Sequence, residues 1–181
     1  MALTTLDSVK AWLGVSSATD DALLARLVSA SSAYVETWLN RSILSATYSD
    51  TRDGNGRTRM MLPQAPVTAI SSVTVDGVAV PAATTATMSG YVFTETSVGL
   101  RGYTFTSGMN NVVIQYTAGF DVVPTDVEQA VIELIGRRYK ERDRIGLVSK
   151  GLAGETITYT QKDMSDGIKT LLQSYRRVVP V

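Results

Sequence analysis

Few side chains in this sequence could support catalysis. The chain has no histidine and no cysteine, which removes a frequent general base, the thiol nucleophile and the usual ligands of zinc, copper and iron. The remaining pair of nucleophile and base is Ser149 beside Lys150 in a glycine-flanked loop. Adjacent side chains do not generally face one another, so we interpret this pair as solvated. The sequence therefore predicts no catalytic, cofactor or metal site.

Two acidic patterns could be read as cation sites. Asp20-Asp21 is a carboxylate pair, but it stands where a helix is expected to begin, and carboxylates are favourable there. The run Asp53-Gly54-Asn55-Gly56 begins like a calcium loop, yet Arg57 and Gln64 occupy positions that need oxygen ligands. We interpret the first pattern as a helix start and the second as a hairpin turn.

The run from Arg137 to Arg144 is the one candidate for binding nucleic acid. Glu141 follows Arg137 by four residues on a predicted helix, and Asp143 interrupts the cations. The whole chain balances 17 basic against 17 acidic residues, so no net charge attracts it to phosphate. An ion-paired helix face is the favoured interpretation, and a non-specific nucleic-acid-binding module stays as an alternative.

Helices are predicted at the start of the chain. The first covers residues 5–13, with Thr4 as its cap, Gly14 as its end, and Leu6, Val9, Trp12 and Leu13 on one face. No basic leader or long apolar run precedes it, so we expect a soluble protein with no membrane segment. The second helix is predicted to start at Thr19.

The second helix has an apolar face wider than one core contact needs. At roughly 100° per residue, it divides into two neighbouring strips. We name them the Leu23 strip (Leu23, Leu27, Tyr34, Trp38) and the Leu24 strip (Leu24, Val28, Val35, Leu39). This width predicts that one strip packs in the core and that the Leu24 strip contacts a neighbouring subunit. The aromatic pair of the Leu23 strip is interpreted as core.

From Ile43 to Ala118 the apolar period changes to two, which predicts antiparallel strands. Helix returns after Pro124, where Thr125 and Glu128 have the spacing of a capping box. A short strand at 156–159 and a last helix, opened by Asp163 or Ser165, follow. The sequence therefore predicts an α+β fold, with a helical core of residues 1–42 and 119–181 and a β insertion of residues 43–118. The strands and turns expected in the insertion are Val73–Val75, Tyr91–Phe93, Tyr103–Phe105 and Val112–Tyr116, with turns at 53–56, Asp76-Gly77, Ser89-Gly90 and Ser107-Gly108.

The order and spacing of these segments resemble the head-tail connector, or adaptor, proteins of long-tailed double-stranded DNA bacteriophages. The resemblance covers nearly the whole chain. It implies a structural subunit that forms a ring beneath the portal protein, matches the portal's twelvefold symmetry, extends the DNA channel and meets a stopper or tail-completion protein below. It implies location in the virion, with assembly in the host cytoplasm, and no cofactor or reaction. The segments that carry it are Leu6–Leu13, Thr19–Leu24, Leu62–Val67, Ile70–Val73, Val112–Phe120, Val123-Pro124, Val127–Tyr139 with Glu141-Arg142, and Leu171–Arg177.

Two further surfaces follow from this resemblance and from composition. Arg142, Arg144 and Lys150 are expected to face the channel and to make weak contacts with passing DNA. The C-terminal segment is expected to dock on the portal, or alternatively to fold back on the Leu171/Leu172 face. A histidine- and cysteine-free hydrolase is the remaining, less favoured alternative. The expected docking residues are Tyr175, Arg176, Arg177, Val178 and Val179.

Overall fold

The computed structural model describes residues 2–142, 149–152, 155–158 and 164–177. It divides the chain into two compact units, a helical unit (Met1–Arg41 with Val123–Val181) and a β unit (Ser42–Val122). The expected α+β class is confirmed. In chain order the elements are α1 (Leu6–Leu13), α2 (Asp21–Leu39), β1 (Ala46–Gly54), β2 (Arg59–Met61), β3 (Val67–Val75), β4 (Val78–Val80), β5 (Gly90–Thr94), β6 (Ser97–Arg101), β7 (Gly108–Ala118), α3 (Thr125–Glu141), β8 (Ser149–Leu152), β9 (Glu155–Thr158) and α4 (Asp166–Gln173).

Local side-chain chemistry sets the ends of the short helices. The Thr5 hydroxyl accepts the Ser8 N–H at 3.1 Å and caps α1. Gly14 ends α1 in the left-handed conformation, at φ 68°. The Ser165 hydroxyl caps α4 by accepting the Ile168 N–H at 3.3 Å, which confirms one of the two expected starts of this helix.

A long-range contact replaces the expected capping box of α3. Pro124 precedes the helix, and no side chain caps it. The Thr4 hydroxyl, expected to cap α1, instead donates to Glu128 Oε1 at 3.0 Å. Thr4 and Glu128 therefore bind each other instead of capping α1 and α3, and both cap predictions are wrong.

The core of the helical unit forms where α2, α3 and α4 turn their apolar faces inward. Residues at helical spacing along α3 are buried, as are Val9 of α1 and Ile168 and Leu172 of α4; those of α3 are Val127, Ala130, Val131, Leu134 and Ile135. Inside this core the Ser32 hydroxyl accepts the Leu3 N–H at 3.0 Å, which satisfies a buried main-chain donor. The fully or nearly fully buried apolar residues are Leu3, Val9, Leu24, Val28, Val35, Leu39, Val127, Ala130, Val131, Ile132, Leu134, Ile135, Met164, Ile168 and Leu172.

The β unit contains two antiparallel sheets, as the period-two pattern indicates. A four-stranded sheet has the order β1-β7-β3-β4, and a three-stranded sheet has the order β2-β6-β5. Asp76 (φ 51°) and Gly77 (φ 78°) make the tight turn between β3 and β4, as expected for this dipeptide. The inward-facing residues of the two sheets form one core around Phe105, Ile114 and Tyr116.

The turn between β1 and β2 departs from the sequence prediction. The strands β1 and β2 flank the turn at 53–56 but belong to different sheets. Instead of a hairpin ladder, Arg52 Nη1 donates to the Met61 carbonyl oxygen at 2.9 Å. The expected strand Tyr103–Phe105 is not a strand either, because Phe105 exchanges backbone hydrogen bonds with the turn itself, through the Arg57 carbonyl at 2.9 Å and the Gly56 N–H at 2.7 Å.

Asn111 links three backbone segments at the end of the β unit that contains this turn. Its side-chain carbonyl accepts the Gly54 N–H at 2.8 Å, and its amide donates to Asp76 Oδ1 at 2.8 Å and to the Thr106 carbonyl at 2.9 Å. Hydrogen bonds from Thr106 and Asn111 lower the pKa of Asp76. A Cβ on Gly54 would lie 1.7 Å from the Thr106 carbonyl oxygen, so this close approach requires glycine.

Candidate assembly interface

The Leu24 strip lies inside the helical unit. Leu24, Val35 and Leu39 have 0% of their surface exposed and Val28 has 6%. Side chains that are covered within one subunit have no surface left for a neighbour, so the prediction that this strip contacts another subunit is wrong. The helical wheel gave the two strips correctly, and the Leu24 strip is the one that packs in the core.

The Leu23 strip is the less buried of the two strips. Leu23 is 38% exposed, while Leu27, Tyr34 and Trp38 are half-buried. At its N-terminal end, Leu23 and Leu27 line a groove of about 450 Å³ together with Arg138, Glu141 and Arg142 of the α3 end. We call this depression the α2–α3 groove. Its lining combines two leucines with two guanidinium groups and one carboxylate.

The described arginines of the basic run, Arg137, Arg138 and Arg142, are engaged within the helical unit. Arg138 lies 4.9 Å from the centre of the Tyr34 ring and donates to the Ser31 hydroxyl at 3.2 Å. Arg137 pairs with Glu141 at 3.0 Å, which confirms the ion-paired interpretation for that pair. These contacts hold the guanidinium groups against α2 and α3 rather than gathering them into one phosphate-binding patch.

The carboxylates Asp20 and Asp21 have separate partners. Asp20 accepts a hydrogen bond from the Tyr139 hydroxyl, and this bond raises the pKa of Tyr139. Asp21 pairs with Lys10 Nζ at 2.7 Å. The two groups therefore tie α2 to α3 and to α1. Among the described residues, no group of acidic side chains is arranged to hold a metal ion.

The C-terminal segment is fastened to the helical unit as far as Arg177. The Tyr175 hydroxyl donates to Asp126 Oδ1 at 2.9 Å, and burial followed by this bond raises the pKa of Tyr175. The Arg176 guanidinium lies 4.8 Å from the centre of the Trp38 ring. Tyr175 and Arg176 are thus held by α3 and α2, whereas Val178 and Val179 lie outside the described residues.

The structure describes one side chain of the expected channel set. Arg142 lies 4.1 Å from the centre of the Tyr139 ring and donates to the Tyr139 carbonyl at 2.9 Å. Arg144 lies outside the described residues. For Ser149 and Lys150 the structure describes only the backbone, which belongs to β8.

The sequence prediction missed one exposed aromatic residue. Trp12, expected on the buried face of α1, is 54% exposed. It rests on Gly136 of α3, where a Cβ would lie 3.5 Å from the indole nitrogen. A glycine inside an otherwise strong helix is the signal that could have indicated this close approach. The largest side chain of α1 is therefore presented at the surface.

No helix in the described part of the chain is long and apolar enough to cross a membrane. Comparison with family models finds that the model described as head completion protein matches residues 2–178. Comparison with curated proteins finds no match.

Three solved structures of gene transfer agent (GTA) particles contain chains that resemble this one. "Neck of empty GTA particle computed with C6 symmetry" and "Neck of native GTA particle computed with C12 symmetry" each hold a chain with 22% identity and a TM-score of 0.60. "Virion of native gene transfer agent (GTA) particle" holds one with 23% identity and a TM-score of 0.60. In all three, the match covers 97% of this chain and 90% of the other. At this identity the likeness shows a shared fold.

Proposed function

This chain belongs to the head completion protein family, and we propose from that membership that it is a structural head-tail adaptor subunit of a phage-like particle. The observation that carries the proposal is the family match over nearly the entire chain. Proteins of this kind act by binding their neighbours and not by catalysis, so the function is mechanical.

The adaptor acts as a ring. The similar chains in the GTA particles come from necks reconstructed with C6 and C12 symmetry, which supports cyclic assembly of this chain, with twelve copies matching a twelvefold portal. Such a ring extends the DNA channel below the portal and offers its lower surface to a stopper or tail-completion protein. Most oligomers with closed cyclic symmetry bury a repeated contact between neighbours.

The C-terminal residues form the portal-docking element of this proposal. The anchoring of Tyr175 to Asp126 and of Arg176 to Trp38 supports a fixed starting point for the residues that follow. Val178 and Val179 then supply apolar contacts to the portal. Tyr175 and Arg176 serve chiefly to position the segment, because both are held by the helical unit.

The adaptor also contacts the DNA that passes through the ring. Arg142, Arg144 and Lys150 supply weak phosphate contacts along the channel. The alternative function, a monomeric nucleic-acid-binding module, is weakened by the intramolecular contacts of Arg137, Arg138 and Arg142.

Electron microscopy of the purified protein with and without its portal tests the proposal. Rings that are seen alone or on the portal's lower face are the expected result. Single subunits in both samples, combined with tight salt-dependent binding to duplex DNA, would replace the adaptor by the nucleic-acid-binding alternative.

A further inference from the structure

The turn after β1 contains a pair of residues with chemistry of its own. Asn55 is followed by Gly56, and none of the other asparagines, Asn40, Asn110 and Asn111, precedes a glycine. Glycine has no Cβ, so its main-chain nitrogen is open to close approach by the preceding side chain. The chain therefore holds one position at which an asparagine can lose ammonia most readily.

The reaction at such a pair needs no enzyme and no cofactor. The Gly56 main-chain nitrogen attacks Cγ of Asn55 and forms a new C–N bond, while the bond from Cγ to Nδ2 breaks. Ammonia leaves with the proton of the Gly56 N–H. Water then opens the cyclic imide at one of its two carbonyls, which leaves either aspartate or isoaspartate at position 55.

Hydrogen bonds in the folded turn hold every group that this reaction uses. The Gly56 N–H donates to the Phe105 carbonyl oxygen at 2.7 Å. The Asn55 side chain accepts the Arg57 N–H at 2.9 Å through Oδ1 and donates to the Arg59 carbonyl oxygen at 3.1 Å through Nδ2. Asn55 and Gly56 are both exposed, so these bonds, and not exclusion of water, restrain the attack.

The partner of the Gly56 N–H is fixed by the core of the β unit. The Phe105 side chain has 0% of its surface exposed, and its backbone exchanges two hydrogen bonds with the turn. Asn111 secures the adjoining residues, since it binds the Gly54 N–H and the Thr106 carbonyl. Releasing the Gly56 nitrogen therefore requires a local opening in which Phe105 detaches from the turn.

We propose that Asn55 is a latent deamidation site, which the folded β unit keeps closed and which reacts only while Phe105 is detached from the turn. Isoaspartate at this position adds one carbon to the main chain, so the Gly56 N–H no longer meets the Phe105 carbonyl. Each opening that leads to reaction is then irreversible. A subunit built into a particle is not replaced, so this protection bears on how long the proposed adaptor lasts.

The wild-type chain alone provides the first test. Folded protein and protein unfolded in guanidinium chloride are incubated at the same mildly alkaline pH, and peptide mapping by mass spectrometry follows the change from amide to acid at position 55. Because each opening costs free energy, the folded chain should react at least about tenfold more slowly. Hydrogen exchange of the Gly56 N–H should be slowed by a factor of the same order, since both processes need the same opening.

Two variants then change the opening without changing the reacting pair. Asn111→Ala removes the bonds to Gly54 and Thr106, so folded Asn111→Ala should deamidate at Asn55 faster than the folded wild type. Asn110→Gly is the matched control and should react at the wild-type rate. Circular dichroism checks that both variants are folded under the conditions of the incubation.

A third variant tests the consequence of the reaction. Asn55→Asp carries the new charge on an unaltered main chain, whereas the chain with isoaspartate at position 55, separated by ion exchange, also carries the extra carbon. The isoaspartate form should have the lower midpoint temperature of thermal unfolding. Equal midpoints would overturn the proposed irreversibility of the opening.

The closed state of the site has its own decisive outcomes. Equal rates of deamidation at Asn55 in folded and unfolded wild-type chains would overturn the proposal. Strong protection of the Gly56 N–H from exchange together with rapid deamidation would overturn it as well, because the reaction would then proceed in the closed turn. Neither result would affect the adaptor function.

Discussion

The backbone N–H of Arg177 donates a hydrogen bond to the carbonyl oxygen of Leu39 at 2.9 Å. Leu39 is the last residue of α2, where main-chain carbonyls have no partner within the helix. The neighbouring Trp38 ring lies under the guanidinium of Arg176. The end of α2 is therefore completed by the C-terminal segment, and this arrangement determines which truncations are informative.

Two truncations distinguish docking from folding. Ending the chain after Arg177 preserves the contacts of Tyr175, Arg176 and Arg177, so thermal stability should not change. Ending it after Ser174 removes them and should lower the free energy of unfolding by about 1–3 kcal/mol. Both truncated chains should lose portal attachment in a pull-down. Retained attachment of the longer chain would remove Val178 and Val179 from the docking element.

Substitutions in α2 test which strip forms the core. Leu24→Ala should lower the free energy of unfolding by about 2–5 kcal/mol, because it leaves a cavity among fully buried side chains. Leu23→Ala should cost clearly less, since more than a third of that side chain already meets solvent. Chemical denaturation of both variants provides the comparison, and equal losses would contradict the assignment of the two strips.

The α2 strips also illustrate what the sequence determines. The periodicity of the sequence predicts a helix with two adjacent apolar strips. Which strip faces inward depends on where α1 and α3 pack. Local signals predicted Gly14, Ser165 and the Asp76-Gly77 turn correctly, because each needs only its chain neighbours. The positions of long-range partners are not encoded in such signals.

The errors elsewhere have the same origin. Glu128 has the spacing of a capping box, yet Thr4 contacts it from the start of the chain. Tyr103–Phe105 alternates like a strand, but its backbone completes the turn after β1 instead of joining a sheet. The exposure of Trp12 depends on the packing of α1 against Gly136. Candidate surfaces are therefore harder to predict than elements.

Tyr116 is expected to make stability fall at alkaline pH. Burial, followed by the hydrogen bond to Asp50 Oδ2 at 2.8 Å, raises its pKa above the ordinary value of 10.0. The unfolded chain therefore releases this proton first, and the stabilisation, complete below about pH 10, is lost as pH rises toward the folded-state pKa. Tyr116→Phe should cost about 1.5–3 kcal/mol at pH 7.

Denaturation curves between pH 7 and pH 11 check this expectation. The difference in stability between wild type and Tyr116→Phe should narrow above about pH 10. A difference that stays constant over that range would show that Tyr116 ionises alike in the folded and unfolded chains.

Asn111 is expected to stabilise its end of the β unit. Asn111→Ala removes the bonds to Gly54, Asp76 and Thr106 and should cost about 1–3 kcal/mol. Asn110→Gly is the matched control, because residue 110 has φ 51° and its N–H still reaches Asp53. The midpoint temperature of thermal unfolding should be lower in Asn111→Ala and unchanged in Asn110→Gly. A lower midpoint in Asn110→Gly than in Asn111→Ala would contradict the role of Asn111.

The head-tail adaptor function is tested most directly by electron microscopy of particles that assemble without this protein. We expect DNA-filled or leaking heads and separate tails, with joined particles restored when the wild-type chain is supplied. Particles that join heads to tails normally in its absence would contradict the adaptor function.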